Sequence, residues 1–351
     1  MKLISVNALL LAVALGFAAW VSPAAAAEDC TPSGSLHFVC GPSAAEDIVR
    51  VAGTRWLIAS GLAEGKEPGR LHLIDSAQKQ WEVFFPSALV RFAPDTKTYP
   101  DCAAPPENTV FSAHGLAIHA SGAGLQRLLV VNHGREAIEF FDIATGADKP
   151  QLTWIGCVKM PSDVYLNSVA PLPDGGFVAT QFYTPSKGGM NAILTGALTG
   201  GVLAWHPGKA VKAIPGTDLC GANGIETSHR GRVLYVNAWG SHDIVRFDMR
   251  GAAFKKDLVH VDFAPDNLRW SADGKQLLVA GQKFKTGGPD PLAMDGWSTA
   301  RLDPATLKVT PIFSTDAQGP MQGVSVALEV DGQLWVGPFR GDRVGYLPLP
   351  H

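Results

Sequence analysis

The sequence predicts an all-β fold, a six-bladed β-propeller, and three observations support this prediction. Six times along the chain a polar residue opens a short apolar run, and a second apolar run follows 10 to 14 residues later. Successive second runs begin 72, 49, 57, 43 and 57 residues apart, and repeats of about 40–50 residues made of short strands are typical of propellers. The 38 Gly and 25 Pro residues supply many turns.

Each repeat is expected to begin with an innermost strand next to its polar opener. The openers, in chain order, are Glu46, His114, Asn167, Asn223, the Asp266–Asn267 pair and Gln322. Two further strands are predicted after each opener, at Arg55–Ala59 and Arg70–Asp75, Arg127–Asn132 and Ala137–Asp142, Gly176–Gln181 and Gly201–Trp205, Val233–Asn237 and Asp243–Asp248, Gln276–Gly281 and Ser298–Leu302, and Leu334–Gly337 and Asp342–Leu347. A fourth, outer strand is expected in each unit, as at Lys209–Ile214 or Lys308–Ile312. Alternating apolar residues between Gly-containing turns favour strands throughout.

Two long insertions interrupt the repeats. Pro94–Asn108 is rich in Pro, Asp and Thr and lies just before His114, and Tyr183–Thr199 is rich in Gly, Ser and Thr with some helical character. Long insertions in a regular scaffold are often functional loops, so substrate specificity is expected to come from these two.

The first 27 residues are interpreted as a cleavable signal peptide. Lys2 supplies the charged start, Ala8 to Val21 is apolar, and small residues end the segment from Pro23 to Ala27. The 14 apolar residues are fewer than the roughly 20 needed to span a bilayer. Residues 28–351 are therefore predicted to be a single propeller domain, exported to the periplasm or secreted, with no membrane span.

Charge and cysteine content narrow the function further. A formal net charge of −3 argues against nucleic acid as a partner, and nothing in the composition indicates an oligomeric state. Five cysteines in an oxidising compartment favour disulfides with one thiol left over. We expect Cys30–Cys40 and Cys102–Cys157 bonds and a free, buried Cys220.

The openers predict a metal site because equivalent positions in a propeller lie at one height around the axis. Five of the residues are oxygen donors: Glu46, Asn167, Asn223, Asp266 and Asn267. Calcium suits two carboxylates and three carboxamides, whereas zinc prefers nitrogen and sulfur. A single Asn or Asp at such a position often only caps a turn. Unrelated turns would not place these residues at the same position in each repeat, so the repetition favours a shared site.

Two histidines are predicted to lie beside this site. His114 opens the second repeat, and His133 follows the strand Leu128–Asn132, so a hairpin would make the two rings neighbours. One ring could then take a proton from water while the other orients it. The sequence contains no G-x-S-x-G elbow, P-loop or G-x-G-x-x-G after a strand, which leaves no basis for a serine hydrolase or a nucleotide enzyme.

Several motifs resemble the calcium-dependent paraoxonase/arylesterase lactonases, whose wider group includes gluconolactonases and senescence-marker proteins. Ala113-His114-Gly115-Leu116 leading to Leu128–His133 looks like the family's "PHG…LLVVNH" segment, and Leu166-Asn167, Ala222–Ile225 and Asp266-Asn267 resemble its "LND", "ANGI" and "VDN" motifs. Glu46-Asp47 stands where the family has Glu-Asp before a Ser-Gly-Leu.

The resemblance implies one catalytic calcium held by Glu46, Asn167, Asn223, Asp266 and Asn267, with His114 and His133 as the dyad that activates water. It also implies a second, structural calcium held by Asp47, the Leu116 carbonyl and residue 168. That last residue is Ser168, where the family has Asp, which leaves the second site one carboxylate short. No Cys lies near the C-terminus, so the family's ring-closing disulfide is replaced by strand pairing alone.

The predicted function is calcium-dependent hydrolysis of lactones or aryl esters by a carboxylic-ester hydrolase that acts on a small molecule. Two main alternatives stay open at this stage, with a strictosidine-synthase-like propeller that lacks the metal ligands as a more distant option. A gluconolactonase-type sugar lactonase shares the acidic and Asn ligands without needing the His pair, and a non-enzymatic periplasmic binding propeller would keep one calcium for stability alone.

Overall fold

A computed structural model describes residues 30–65, 67–122, 124–146, 148–250, 255–285, 289–316 and 319–349. The predicted signal peptide, residues 1–27, lies outside the described residues. Within them nearly all regular structure is strand, and the one α-helix, α1, spans Gly189–Leu194.

Six sheets of mainly antiparallel strands are arranged in a ring and form the predicted six-bladed β-propeller. The first strand, β1 (His37–Cys40), joins the last blade. From the axis outward, blade 1 contains β2 (Ile48–Arg50), β3 (Trp56–Gly61), β4 (Arg70–Asp75) and β5 (Gln80–Phe85). Blade 2 carries the short strand β6 (Arg91–Phe92) on its edge, outside β7 (Ala113–Gly122), β8 (Leu125–Asn132), β9 (Ala137–Ala144) and β10 (Gln151–Lys159).

The other four blades follow the same order. Blade 3 contains β11 (Tyr165–Pro171), β12 (Phe177–Tyr183), β13 (Gly201–Trp205) and β14 (Lys212–Ala213). Blade 4 contains β15 (Ala222–Thr227), β16 (Val233–Ala238), β17 (Asp243–Asp248) and β18 (Lys255–His260). Blade 5 contains β19 (Ala264–Trp270), β20 (Leu277–Phe284), β21 (Met294–Leu302) and β22 (Val309–Thr315). Blade 6 contains β23 (Val324–Val330), β24 (Gln333–Pro338) and β25 (Arg343–Pro348), with β1 outermost.

The ring closes by strand pairing, as expected in the absence of a C-terminal cysteine. Strand β1 pairs antiparallel with β25, so that His37 lies opposite Tyr346 and Cys40 opposite Arg343. Cys40 is bonded to Cys30, and Cys102 to Cys157, whereas Cys220 is free and buried. All three cysteine predictions are therefore confirmed, and disulfides of this kind fit an oxidising compartment.

The hydrophobic core lies between consecutive blades. Between blades 4 and 5, for example, Tyr235 and Ile244 pack against Leu268 and Val279. Between blades 6 and 1, where the two ends of the chain meet, side chains such as Trp335 pack with those of blade 1. Stacked sheets pack face to face across such interlayers, so each blade depends on its neighbours and the innermost strands are held at a fixed height.

A β-bulge interrupts five innermost strands, and in four of them it lies at a predicted opener. The pairing register shifts between Ala113 and Leu116 in β7, and equivalent shifts occur at 166–169, 222–225, 265–268 and 324–326. A bulge adds one residue to a strand and redirects side chains, often next to a functional site. Here it turns the polar residues of the repeats away from the regular pleat.

One predicted detail differs in the structure, and a second agrees with it. The outer strand expected at Lys209–Ile214 is only two residues long, at Lys212–Ala213. The insertion Tyr183–Thr199 contains α1, whose Ile193 is buried, as its helical character predicted.

Candidate active site

Four of the predicted site residues, from four blades, are in direct contact near the axis. Asn267 Nδ2 donates to Glu46 Oε1 at 2.6 Å. His114 Nε2 lies 3.6 Å from the same Glu46 oxygen, and Asn167 Nδ2 lies 3.4 Å from His114 Nε2. Glu46 lies just before β2, and the other three occupy bulges. Residues that are far apart in the sequence but occupy the same position in their repeats therefore lie next to each other.

Each of the five proposed calcium ligands has one buried oxygen without a hydrogen-bond partner. In the described part of the chain, ten buried side-chain nitrogen or oxygen atoms lack a partner, and half of them are Glu46 Oε2, Asn167 Oδ1, Asn223 Oδ1, Asp266 Oδ1 and Asn267 Oδ1. Buried polar atoms are nearly always paired, and each exception calls for an explanation such as an ion. The donor set, two carboxylates and three amides, fits calcium.

Burial destabilises the charged form of the two carboxylates in this cluster. Burial raises the pKa of Glu46 to about 7, although the Asn267 hydrogen bond and more distant positive charge offset part of the effect. Burial also raises the pKa of Asp266 well above its ordinary range, and the neighbouring Glu46 raises it further, against the polar groups of Gln282 and Asn223. Two acids in one buried site favour a bound cation because it would neutralise both.

His114 and His133 form the predicted pair. His114 Nδ1 and His133 Nε2 are 2.6 Å apart, and His133 Nδ1 lies 3.0 Å from Glu136 Oε2. Glu136 is fixed in turn, because its Oε1 accepts the backbone N–H of Leu166 at 2.6 Å. Burial lowers the pKa of His114 to about 4 and also lowers that of His133. Both rings are therefore neutral at neutral pH.

Glu136 determines which ring nitrogens carry protons. As an acceptor, its carboxylate requires the proton of His133 on Nδ1, so His133 Nε2 accepts from His114 Nδ1–H. His114 Nε2 is then the unprotonated nitrogen, and it is the one that faces Glu46 and Asn167. The chain of contacts thus presents a free lone pair to the oxygen cluster. Sequence reasoning missed Glu136, since a carboxylate in a turn carries no distinguishing pattern.

An aromatic stack extends from the pair to the second insertion. The His133 ring stacks on Tyr165 with centroids 4.2 Å apart, and Tyr165 stacks on Tyr183 at 4.5 Å. Tyr183 is the last residue of β12 and begins the insertion that contains α1. The stack fixes the plane of the His133 ring and forms one wall beside the site.

Two predicted residues lie elsewhere. Gln322 is exposed and lies outside β23, so the sixth opener does not join the cluster. The bulge position of that blade is Ser325, whose hydroxyl donates to the Glu46 backbone carbonyl at 2.7 Å. Asp47 is buried behind Glu46, and its carboxylate is bonded to the Arg269 guanidinium rather than left unpaired. The sixth blade therefore contributes an uncharged serine, which contacts the backbone of Glu46.

Cys102, Cys157 and Glu139 also lie close together but do not form a metal site. The two sulfurs are joined in a disulfide, so neither is a thiolate ligand. Glu139 accepts from Arg135 Nε and Nη2 and from Asn132 and Trp154. This cluster is structural, and it fastens the first insertion to blade 2.

Comparison with solved structures shows which proteins share this fold. A luciferin-regenerating enzyme aligns with 14% identity over 89% of this chain and 94% of its own, with a TM-score of 0.55. A protein described as a gluconolactonase aligns with 16% identity over 92% and 97%, with a TM-score of 0.54. The calcium-binding protein regucalcin from Agrobacterium tumefaciens aligns with 13% identity over 88% and 94%, with a TM-score of 0.51. The chain therefore has the fold of the wider gluconolactonase and regucalcin-like propeller group, as predicted.

Other comparisons are negative. No protein-family model and no curated protein matched the chain. None of the described helices is long and apolar enough to cross a membrane.

Proposed function

We propose that this chain is a calcium-dependent hydrolase of lactones or aryl esters. The observation that carries the proposal is the set of five unpaired buried oxygens beside an oriented histidine pair. The oxygens have no structural purpose of their own, since unpaired buried polar atoms cost stability. Together with the histidine pair they supply an electrophile site and a base.

Calcium would be held by the Glu46 and Asp266 carboxylates and the amide oxygens of Asn167, Asn223 and Asn267. These hard oxygen donors leave room in a coordination sphere of 6–8. When bound, calcium would polarise a substrate carbonyl and stabilise the negative charge that develops on its oxygen.

His114 is the general base in this proposal. Its Nε2 faces the cluster and carries the free lone pair, so it would accept a proton from the attacking water. The resulting positive charge would be stabilised through His133, whose Nδ1–H donates to Glu136. His133 and Glu136 thus orient the base and balance its charge, as the second and third members of a hydrolase triad do.

The substrate is proposed to be a lactone or ester rather than a charged metabolite. A structural neighbour described as a gluconolactonase supports lactone chemistry on this fold. The stack of His133, Tyr165 and Tyr183 lines one side of the dyad with aromatic carbon, which suits an apolar or aryl group. Export, indicated by the two disulfides, is part of the proposal.

A chelation experiment tests the metal. Protein stripped with EGTA and then given calcium is assayed on aliphatic lactones, sugar lactones and phenyl acetate. We expect activity to be lost on stripping and recovered with calcium. Activity unchanged by chelation would contradict the calcium role, and turnover of sugar lactones alone would favour the gluconolactonase type.

Substitution tests the dyad. We expect His114→Gln and His133→Gln each to lower kcat/KM by about 100-fold or more, within the range of general-base catalysis. His119→Gln is the matched control, because His119 lies on the same strand β7 but lines a cavity away from the cluster. Unchanged turnover in both site variants would contradict a catalytic role for the two histidines. Calcium binding without turnover of any substrate would favour a non-enzymatic binding propeller.

A further inference from the structure

Arg269 lies inside the central channel, one layer deeper than the oxygen cluster. It is two residues after Asn267 on β19, and both side chains contact residues just before β2, Asn267 at Glu46 and Arg269 at Asp47. Its side chain is only 5% exposed. Beyond it, a cavity of about 730 Å³ opens at the other end of the channel and has Arg269 and Glu226 in its lining.

The Arg269 guanidinium is surrounded by acceptors from four blades. Nη2 donates to the Asp47 carboxylate and to the Leu116 carbonyl, the latter at 2.7 Å. Nη1 donates to Glu226 Oε1 at 3.2 Å and to the Leu268 carbonyl at 2.8 Å. Nε donates to the Ile48 carbonyl at 3.3 Å. Two carboxylates and three carbonyls would form a hard-oxygen cation site if the arginine were absent.

These residues do not fit the second metal ion that the family resemblance implies. That ion would need Asp47 and the Leu116 carbonyl, and both already bond to Arg269. The other contacts of the Asp47 carboxylate are with backbone N–H groups, from Ile48 to Oδ1 at 2.8 Å and from Leu116 to Oδ2 at 2.7 Å. Ser168, the third position, is buried and uncharged.

We propose that Arg269 is a built-in cation that takes the place of a second metal ion and ties blades 1, 2, 4 and 5 together at the axis. The deep part of the channel is then independent of metal. The chain binds one exchangeable calcium ion, in the outer cluster, and not two. The count of one rests on the proposed calcium site, whereas the role of Arg269 does not.

Calcium stoichiometry is the first test. Purified full-length mature protein is equilibrated with calcium, passed through a desalting column into metal-free buffer and analysed for bound calcium per chain. One ion per chain is expected. Two ions per chain in the wild type would overturn the proposal.

Arg269→Ala is the second test, with Arg301→Ala as the matched control. Arg301 also bonds to a carboxylate, Glu329 at 2.8 Å, but it is 25% exposed. Removing Arg269 leaves two buried carboxylates without a cation, so Tm in EGTA should fall by roughly 10 °C or more, and that of Arg301→Ala by only a few degrees. Added calcium should raise Tm more in Arg269→Ala than in the wild type, because a second ion enters the vacated site.

The outcomes separate the two proposals. Equal, small losses in Arg269→Ala and Arg301→Ala would overturn the role of Arg269. If the wild type binds no calcium while Arg269→Ala is strongly destabilised, the calcium cluster fails and the internal cation stands. Should Arg269→Ala not fold, the triple variant Asp47→Asn, Glu226→Gln, Arg269→Met removes all three charges. Recovery of soluble, folded protein in that variant supports the charge argument, and failure to recover it overturns it.

Discussion

Glu136→Gln is the most direct test of how the histidine pair is oriented. The carboxylate uses one oxygen for His133 Nδ1 at 3.0 Å and the other for the Leu166 N–H at 2.6 Å. Glutamine has one oxygen and one NH₂ group, so it satisfies only one of these two donors and faces the other with a donor of its own. The proton on His133 Nδ1 is then no longer enforced, and His114 Nε2 loses its fixed role as acceptor.

The expected loss follows from the strength and exposure of the contact. A hydrogen bond to a charged group contributes about 1.5–3 kcal/mol, which corresponds to roughly 10- to 100-fold in rate. The Glu136 side chain is 24% exposed, and solvent screening places the effect in the lower part of this range. We expect kcat/KM to fall about 10- to 30-fold, with Tm lowered by only a few degrees.

A double-mutant cycle separates orientation of His133 from general damage. Glu136→Gln is introduced into the wild type and into His133→Gln, and kcat/KM is measured for all four proteins on one lactone with saturating calcium. If Glu136 acts through His133, its substitution costs little once His133 is gone. An equal loss in both backgrounds would refute the reasoning.

Three further predictions test other parts of the structure. Glu46→Gln removes half the negative charge of the cluster and should weaken calcium binding by about 100-fold in titration calorimetry, whereas unchanged affinity would exclude Glu46 as a ligand. Gly224→Ala should lower both calcium affinity and activity, because the added Cβ would lie 2.3 Å from the Asp266 carbonyl; Gly146→Ala, with nothing within 4 Å, is the control and should match the wild type. His72 is fully buried, and burial lowers its pKa to about 4. Below about pH 6.5, His72 is therefore protonated in the unfolded chain but not in the folded chain. The free energy of unfolding is highest above that pH and falls as the pH is lowered toward 4. His72→Gln should flatten this fall in urea titrations by up to about 3 kcal/mol, and an unaltered pH profile would contradict the assignment.

The sequence predicted the fold and most of the cluster because both depend on repetition. Propeller strands recur at similar spacing, and the openers Asn167, Asn223 and Asp266 keep the same phase relative to the strand that follows. Bulges at these positions occupy the same place in each blade. Residues at the same position in each repeat therefore lie at the same height along the axis. The spacing in the sequence is enough to predict this, even though it does not reveal the bulges.

Features that occur once were not predictable in the same way. Glu136 lies in a turn with a φ of 43°, and its contact with His133 depends on that local backbone rather than on any repeat. Gln322 continues the sequence pattern but is exposed, because it lies two residues before β23 begins, and Ser325 occupies the bulge instead. Strand β1 is only four residues long, so its pairing with β25 follows from ring closure and not from its own composition.

The position of Arg269 explains the asymmetry of the channel. Asn267 and Arg269 both lie on β19, so the strand that supplies an amide to the outer cluster also supplies a cation to the layer beneath it. Two carboxylates face the axis in each layer, Glu46 and Asp266 outside and Asp47 and Glu226 inside. Both layers need positive charge, but only the inner one carries it covalently. In the proposed function, the outer layer, where His114 presents its free nitrogen, obtains its cation from solution. An exchangeable ion with open coordination is useful only where a substrate can reach it, whereas a fixed guanidinium, with its donors already paired, suits the layer that holds the blades together.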